Sequence, residues 1–215
     1  MPQAQRQVTG RHLVLVALGA NLDGASLGGA AARDVALQGA AEAVGAAAGA
    51  PVRMSRIYRS PAFPPGSGPD YANAVLSVAW EAPPEEILAQ LHEIEAAHGR
   101  ERQARWAART LDLDLIAAGP GGGEVRPDRE TWAQWQGLPL ERQRVEAPQE
   151  LILPHPRLAD RAFVLVPMAE VAPGWRHPVT GRSVEEMLAA LPPGEVAALS
   201  PWQDEPARGG ARTDG

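Results

Sequence analysis

The sequence predicts an α+β fold whose core is a mainly antiparallel sheet with helices packed on it. Three observations lead to this prediction. Short runs with strand-like apolar patterns recur in the first half of the chain, and two longer segments with helical character lie between them. Taken in order, these segments give βαββαβ. This order folds as a ferredoxin-like sheet with its helices on one face, here followed by short C-terminal helices.

The first strand, helix and second strand are predicted from composition and length. Residues 13–18 are a short run rich in Val and Leu, which predicts a buried strand, and the GANLDG sequence at 19–24 predicts a turn. The Ala-rich stretch 27–49 predicts a helix that packs closely because its side chains are small. Residues 52–58 predict the second strand.

The rest of the predicted core follows a long loop. Residues 60–70, SPAFPPGSGPD, are dense in Pro and Gly, and a loop of this length is either functional or disordered. Residues 71–80 alternate well enough to predict a third strand. A pair of prolines then precedes a predicted helix over 85–98, and residues 111–115 predict the fourth strand.

The predicted domain organisation is one domain over residues 11–200. We expect a flexible N terminus at 1–10 and a disordered tail at 201–215. Residues 118–150 begin with a glycine run and continue as a charged segment with little periodicity, so we interpret them as an insertion or flap.

The segment after this insertion contains a proline-rich turn and two helices. Residues 151–158, LILPHPRL, predict a strand end that leads into a rigid Pro-His-Pro turn. Residues 161–171 predict a short apolar helix in the core, and residues 183–191 predict another short helix.

Composition excludes several classes of function. The chain has 215 residues and a net charge of −6, which argues against a general nucleic-acid or membrane-surface binder. Every basic residue is Arg, so a P-loop lysine and Schiff-base chemistry are excluded. Cysteine is absent, which excludes disulfides and thiolate sites, and no apolar run approaches the roughly 18 residues of a membrane span. We expect a soluble, cytoplasmic protein.

The predicted fourth strand carries the first candidate site residues. Leu111, Leu113 and Leu115 alternate with Asp112 and Asp114. On a strand, the leucines point into a core and both carboxylates point the other way, with Cα atoms roughly 6.5–7 Å apart. Carboxylate oxygens at this spacing hold a divalent cation or a pair of them.

An arginine cluster lies directly upstream, at Arg100, Arg102, Arg105 and Arg109. Guanidinium groups bind phosphate in a bidentate way, so the two motifs together indicate a site for a polyphosphate such as Mg·ATP. The alternative is a strand with one hydrated face, preceded by a solvated Arg-rich loop. Taken alone, residues 100–115 leave both interpretations open.

Six segments of the chain, taken in order, form a recognisable set: LVALGANL at 15–22, YRSPAF at 58–63, PDYANAV at 69–75, IEAAHGRER at 94–102, RWAARTLDLDLI at 105–116 and LPHPRLADRAFVLVPMAEVAP at 153–173. Together they resemble the 6-hydroxymethyl-7,8-dihydropterin pyrophosphokinase (HPPK) family. The most specific parts are RTLDLD and PHPRL…RAFVL. The resemblance covers residues from about 12 to 191, apart from the insertion.

The resemblance implies transfer of pyrophosphate from ATP to the hydroxymethyl group of the pterin, with release of AMP, in folate biosynthesis. ATP would be the co-substrate, and Asp112 and Asp114 would hold two Mg²⁺ ions. The implied catalytic residues are Arg100, Arg109, Asp112 and Asp114. The implied ATP-binding residues are Glu95, Arg100, Arg102, Arg109, His155 and Arg161.

The resemblance also implies a pterin site with two stacking rings and a few hydrogen bonds to the ring edge. Its residues would be Ser60, Pro61, Ala62, Phe63, Tyr71, Asn73, Trp106 and Phe163. We expect a monomer that binds these small-molecule substrates and neither nucleic acid nor membrane.

Three questions stay open from the sequence. Ala107 and Ala108 stand where the family usually has Gly-Pro, in a loop that closes over the substrates, so a catalytically silent pterin- or nucleotide-binding protein is the alternative. An unrelated nucleotidyltransferase with paired aspartates would instead release pyrophosphate. The general base is also open, between Asp114 and metal coordination alone.

Overall fold

The computed structural model of the protein describes residues 10–21, 30–62, 68–98 and 111–202. The strands in these stretches are β1 (His12–Ala20), β2 (Val52–Met54), β3 (Tyr58–Ser60), β4 (Tyr71–Trp80), β5 (Asp112–Ala117) and β6 (Ser200–Pro201). The helices are α1 (Ala30–Ala48), α2 (Pro84–Ala97), α3 (Arg129–Gly137), α4 (Leu140–Val145), α5 (Ala162–Val171), α6 (Val184–Leu188) and α7 (Pro193–Ala197).

The strands form one sheet in the order β5-β1-β4-β3-β6, and β2 also pairs with β4. Each of these pairs is antiparallel. β1 lies between β5 and β4 and is paired along its whole length with β4, from His12 opposite Trp80 to Ala20 opposite Ala72. The predicted α+β class with a mainly antiparallel sheet is confirmed.

The first hydrophobic core lies between one face of the sheet and helices α1 and α2. Alternate residues of β1 point into it, and small and branched side chains of both helices pack against them. Its buried members include Val14, Val16, Leu18, Leu37, Val44, Ile87, Leu91, Leu111, Leu113 and Leu115. Burying one such large side chain contributes about 1.5–3 kcal/mol, so this layer fixes the sheet against the helices.

A second core lies on the opposite face of the sheet. Leu15, Val75 and Ile116 of the strands pack there against Leu165 and Met168 of α5. The sequence predicted helices on one face only, whereas the C-terminal helices cover part of the other. The physical reason is that these strands carry apolar side chains on both faces, as buried strands do.

The predicted single strand over 52–58 is two short strands separated by a bulge. Met54 pairs with Leu76, and Tyr58 pairs with Asn73, so three residues oppose two between these pairs. The Val75 N–H donates to Ser55 Oγ at 3.1 Å, so the Ser55 side chain replaces a missing backbone acceptor. Such a bulge redirects the strand that follows it.

The segment 118–150, predicted as an insertion or flap, contains helices α3 and α4. Asp128 caps α3 by accepting a hydrogen bond from the Thr131 N–H at 2.9 Å. Trp132 is buried and its Nε1–H donates to the Pro154 carbonyl at 2.7 Å. Short helices owe most of their stability to such tertiary contacts, so their periodicity in the sequence is weak.

The described residues do not reach either end of the chain. Residues 1–9 and 203–215 lie outside the described residues. Residues 201 and 202, predicted as part of a disordered tail, are instead ordered, because Pro201 pairs with Tyr58 and the Trp202 N–H donates to the Ile57 carbonyl at 2.8 Å. Among the described helices, none combines the length and apolar character needed to cross a membrane.

Candidate active site

Asp112 and Asp114 lie at the start of β5, on the face of the sheet opposite α1 and α2. Leu113 between them is 2 % exposed and belongs to the first core, which fixes the strand's orientation. Both aspartates are partly exposed, and the Asp114 side chain keeps 40 % of its surface accessible. Two carboxylates therefore share one accessible face of a strand whose backbone is firmly held.

Glu95 holds that backbone from the side of α2. Its side chain is buried, and its Oε1 accepts a hydrogen bond from the Leu113 N–H at 2.8 Å. The bonded amide lies between the two aspartates in the chain. Glu95 thus holds the backbone of β5 between the two aspartates. The nucleotide contact that the family resemblance implies for Glu95 stays a prediction.

Arg161 connects the aspartates to the beginning of α5. Its Nη1 lies 3.8 Å from Asp114 Oδ2, and both side chains are partly exposed. Its guanidinium carbon also lies 5.6 Å from the ring centroid of Phe163. A partly exposed ion pair of this length contributes less than about 1 kcal/mol. Arg161 is therefore held near the carboxylates without being locked to them.

His155 lies in the proline-rich turn beside β5. Its backbone N–H donates to the Ile116 carbonyl at 2.8 Å, and its Nδ1 accepts from the Arg157 N–H at 3.1 Å. Burial of the ring and the positive charge of Arg161 lower the pKa of His155 to about 3, although Asp112 acts in the opposite direction. The ring is neutral at pH 7, and Nε2 carries its proton because Nδ1 is an acceptor.

Asn73 organises the other side of the site. It is buried, and its Nδ2 donates to Ser60 Oγ at 3.0 Å and to the carbonyls of Tyr58 and Tyr71, each at 3.3 Å. These bonds tie β3 to β4 and fix which way the amide oxygen points. Ser60 is in register with Tyr71 on the neighbouring strand. Ala62, two residues further on, is also buried.

Gly19 joins the two sides, and sequence reasoning missed this role. In β1 it is in register with Asp112 on one side and with Asn73 on the other. Adjacent strands lie about 4.8 Å apart, so the Cα atoms of Asp112 and Asn73 are roughly 10 Å apart on one face of the sheet. A Cβ on Gly19 would lie 4.0 Å from Asn73 Oδ1. Because Gly19 has no side chain, the surface of the sheet between Asp112 and Asn73 stays open. We call this surface the floor of the site.

Tyr71 and Phe163, the two predicted stacking rings, lie on β4 and on α5. Tyr71 is two residues before Asn73 on β4, so their side chains project from the same face of the strand. Phe163 lies in the first turn of α5 and is 36 % exposed. A partly exposed aromatic side chain is suited to stacking on a flat ligand.

Apart from Glu95 on α2 and Phe163 on α5, the predicted site residues fall into three groups. The structure brings Asp112, Asp114, His155 and Arg161 together on one side of Gly19. It places the described ring-side residues, Ser60, Pro61, Ala62, Tyr71 and Asn73, on the other side or on the segment that follows β3. The remaining predicted residues lie outside the described residues: Phe63, Arg100, Arg102, Trp106 and Arg109.

The donor set fits a hard cation that arrives with its substrate. Within the described stretches, no group of three or more His, Asp or Glu side chains is arranged to hold a metal ion. Mg²⁺ is commonly bound by one or two carboxylates, with the remaining positions filled by substrate phosphates and water. Asp112 and Asp114 supply the carboxylates that such a site requires.

Comparison with known proteins gives concordant results along most of the chain. A sequence model described as 7,8-dihydro-6-hydroxymethylpterin-pyrophosphokinase (HPPK) matches residues 15–173. A Synechocystis protein named 2-amino-4-hydroxy-6-hydroxymethyldihydropteridine pyrophosphokinase is 39 % identical over 153 residues, covering 71 % of this chain and 66 % of that protein. A Pseudomonas aeruginosa protein of the same name is 36 % identical, covering 66 % of this chain and 72 % of its own length.

Solved structures show the same fold at low sequence identity. The HPPK-DHPS crystal structure from Plasmodium falciparum has a TM-score of 0.53 and 10 % identity, and the match covers 83 % of this chain and 44 % of that one. The chain thus spans about two thirds of the Synechocystis relative and less than half of the Plasmodium protein. The family match itself covers well over half of the chain, and on that basis the protein belongs to the HPPK family.

Proposed function

We propose that the protein transfers a pyrophosphoryl group from ATP to the hydroxymethyl group of 6-hydroxymethyl-7,8-dihydropterin. One observation carries the proposal: Asp112 and Asn73 are in register with Gly19, on the two sides of an open floor. One side of this floor therefore offers a carboxylate for metal and phosphate. The other side offers an amide for a flat ring that forms hydrogen bonds. Membership of the HPPK family supports this assignment.

In the reaction, the hydroxymethyl oxygen attacks the β-phosphorus of ATP. The bond between the β-phosphorus and the oxygen that bridges it to the α-phosphate breaks, and AMP leaves. The product is the pterin diphosphate ester. The hydroxyl proton passes to Asp114 or to water. Negative charge develops on the leaving oxygen, so positive charge must be held near it.

Asp112 and Asp114 would hold Mg²⁺, and we propose two ions between the ATP phosphates. When bound, the metal offsets phosphate charge and aligns the reacting oxygens. The aspartates keep their carboxylates accessible on one face of β5, while Glu95 holds the amide of Leu113 behind them. The strand therefore supplies the ligands in a fixed relative position.

Arg161 and His155 bind the phosphates in this proposal. The loose contact between Arg161 and Asp114 lets the guanidinium turn towards a phosphate oxygen, which is the stronger partner. The neutral His155 ring donates its Nε2–H without adding a charge. Arg100, Arg102 and Arg109 are proposed to add positive charge from the preceding segment.

The pterin is proposed to stack between Tyr71 and Phe163, with Asn73 reading its amide-like edge. The Asn73 Nδ2 is occupied by protein acceptors, so its Oδ1 is the atom presented to the ring. The backbone of Ser60 to Ala62 supplies further edge contacts. Trp106 and Phe63 complete the proposed pterin site, as the family resemblance implies.

We further propose a cytoplasmic monomer whose partners are these small molecules. The net charge of −6 disfavours binding to nucleic acid or to anionic membrane surfaces. Sedimentation of the purified protein tests the monomeric state.

Product analysis with ATP, Mg²⁺ and 6-hydroxymethyl-7,8-dihydropterin tests the proposal. We expect equimolar AMP and pterin diphosphate, both lost in Asp112→Ala and Asp114→Ala. ADP or free pyrophosphate as the product would contradict the assignment. Tight pterin binding without turnover would instead support the silent binding protein. That result would be followed by restoring Gly and Pro at Ala107 and Ala108.

A further inference from the structure

Trp202 is the centre of a cluster that joins the C-terminal segment to three other elements. The Arg33 guanidinium lies 5.7 Å from its ring centroid, and that of Arg59 lies 5.1 Å from it. Arg33 Nη1 also donates to the Asp70 carbonyl at 3.3 Å, and Arg59 Nε lies 4.0 Å from Asp70 Oδ2. We call these four residues the Trp202 cluster. It joins α1, β3 and the residue before β4.

The backbone of the same segment pairs with β3. Ser200 is in register with Arg59 and Pro201 with Tyr58, and the Trp202 N–H donates to the Ile57 carbonyl at 2.8 Å. β3 is only three residues long and has β4 as its other neighbour. Without β6 it would be a very short edge strand, which pairing on one side holds poorly.

The strand held in this way carries part of the proposed pterin site. Ser60 ends β3 and accepts the hydrogen bond from Asn73 Nδ2 at 3.0 Å. Asp70, bonded to Arg33, directly precedes Tyr71. The Trp202 cluster therefore fixes two segments on which ring-side residues lie. The aspartates of β5 are separated from β3 by β1 and β4 in the sheet.

We infer that Trp202 is a positioning residue for the pterin side of the site. It holds β3 and Asp70 in place without contacting the pterin ring. Through these two segments it positions Ser60, Asn73 and Tyr71. This inference rests on the proposed function. It differs from a purely structural role because it predicts that one substrate is affected and the other is not.

The test measures both Michaelis constants in Trp202→Ala. We expect the KM for the pterin, at saturating Mg·ATP, to rise about tenfold, the scale of a lost cation–π contact with its packing. The KM for ATP at saturating pterin should stay within about twofold. Trp202→Phe keeps an aromatic face for both guanidinium groups and should restore most of the pterin KM. Arg33→Gln, a milder change, should raise the pterin KM in the same direction.

A matched control variant distinguishes a positioning role of Trp202 from a general loss of protein stability. Val184 is buried in the second core, whereas Trp202 packs against the first, so Val184→Ala lowers stability through a different core. Thermal unfolding is measured for every variant. The inference is overturned if Trp202→Ala raises both Michaelis constants together. It is also overturned if Trp202→Ala lowers the Tm as Val184→Ala does while the pterin KM stays unchanged.

The inference and the proposed function fail in different ways. Absence of AMP formation by the intact protein would contradict the proposed function. In that case the pterin Kd is measured by titration in the presence of a non-hydrolysable ATP analogue. Trp202→Ala must then weaken pterin binding about tenfold relative to the intact chain. An unchanged Kd overturns the inference.

Discussion

The ring side and the phosphate side of the candidate site are built from different contacts. On the ring side, Asn73 is 5 % exposed and its amide group donates to three protein acceptors. On the phosphate side, Asp114 keeps 40 % of its side chain exposed, and Arg161 lies 3.8 Å away. The same sheet therefore holds one functional group rigidly and leaves another accessible.

This difference suits the charges of the two proposed ligands. A neutral heteroaromatic ring is recognised by a few fixed hydrogen bonds, which favours partners that are ordered before it binds. A carboxylate buried without a cation would cost several kcal/mol, which favours proposed metal ligands that stay hydrated until a cation binds. The backbone beneath them is nevertheless fixed, because the buried Glu95 binds the Leu113 amide.

The largest expected effect is the loss of turnover on changing the aspartates. Asp112→Asn and Asp114→Asn keep the side-chain shape but weaken metal binding, and kcat for AMP formation should fall by roughly 10³-fold. Glu141→Gln removes the same charge at an exposed position on α4, outside the predicted site, and should keep full activity. If the Asn variants lose stability in thermal unfolding in proportion to their activity, the aspartates have a structural role instead.

The next effect concerns the floor between the two sides. Gly19→Val adds a branched side chain between Asp112 and Asn73, and we expect kcat/KM to fall roughly 100-fold through misplaced substrates. Valine suits a strand, so the Tm should be unchanged within a few degrees. Gly19→Ala is the control, because its Cβ lies 4.0 Å from Asn73 Oδ1 and fits without displacement. Full activity of Gly19→Val would show that no substrate crosses this floor.

A smaller and more selective effect is expected for the ring side. Asn73→Ala removes three hydrogen bonds and leaves Ser60 Oγ with one donor fewer. A loss of about 1–2 kcal/mol corresponds to a rise of roughly 5- to 30-fold in the pterin KM. The KM for ATP should not change. Steady-state kinetics with each substrate varied in turn measures both Michaelis constants. An equal rise in both would contradict the division of the site into two sides.

The smallest expected effect is on stability and comes from His177, which lies outside both sides of the site. His177 is buried against the edges of Trp132 and Trp175, and burial lowers its pKa to about 4 from the ordinary value of 6.5. The unfolded chain therefore binds more protons between these values, and stability falls as the pH drops below about 6.5. From pH 7 to 6, His177 should contribute a loss of less than about 1 kcal/mol.

Urea unfolding at several pH values measures this contribution. His177→Asn offers an oxygen acceptor to the amides of Val179 and Thr180, which now bond to the His177 ring, and it does not titrate. The variant should therefore lose less stability than the intact protein as the pH falls. The ratio of the two Michaelis constants should be the same in both. Identical pH dependence in the two proteins would exclude His177 as the titrating group.

Features set by local pattern could be predicted from the sequence. The alternation of Leu111, Leu113 and Leu115 with two aspartates predicts a strand and the shared face of its carboxylates. Apolar spacing likewise predicts α2, and the order of the elements predicts an antiparallel sheet. These signals are local because side-chain direction on strands and helices follows from backbone geometry.

Features set by tertiary contacts could not be predicted in this way. The bulge after β2 depends on Ser55 Oγ replacing a backbone acceptor for Val75, a residue twenty positions away. The helix α3 depends on Trp132 binding the Pro154 carbonyl. Gly19 reads as a turn residue in the sequence, and only the strand register shows that it separates Asp112 from Asn73. Pairing of this kind is not encoded in any short window.

Metal binding tests the division of the site most directly. We would measure Mn²⁺ bound per protein by equilibrium dialysis, with a non-hydrolysable ATP analogue at equal concentration on both sides. The intact protein and Asn73→Ala should each bind about two ions, while Asp112→Asn and Asp114→Asn should bind fewer. Equal metal binding by all four proteins, or a loss in Asn73→Ala as large as in the aspartate variants, would contradict the account.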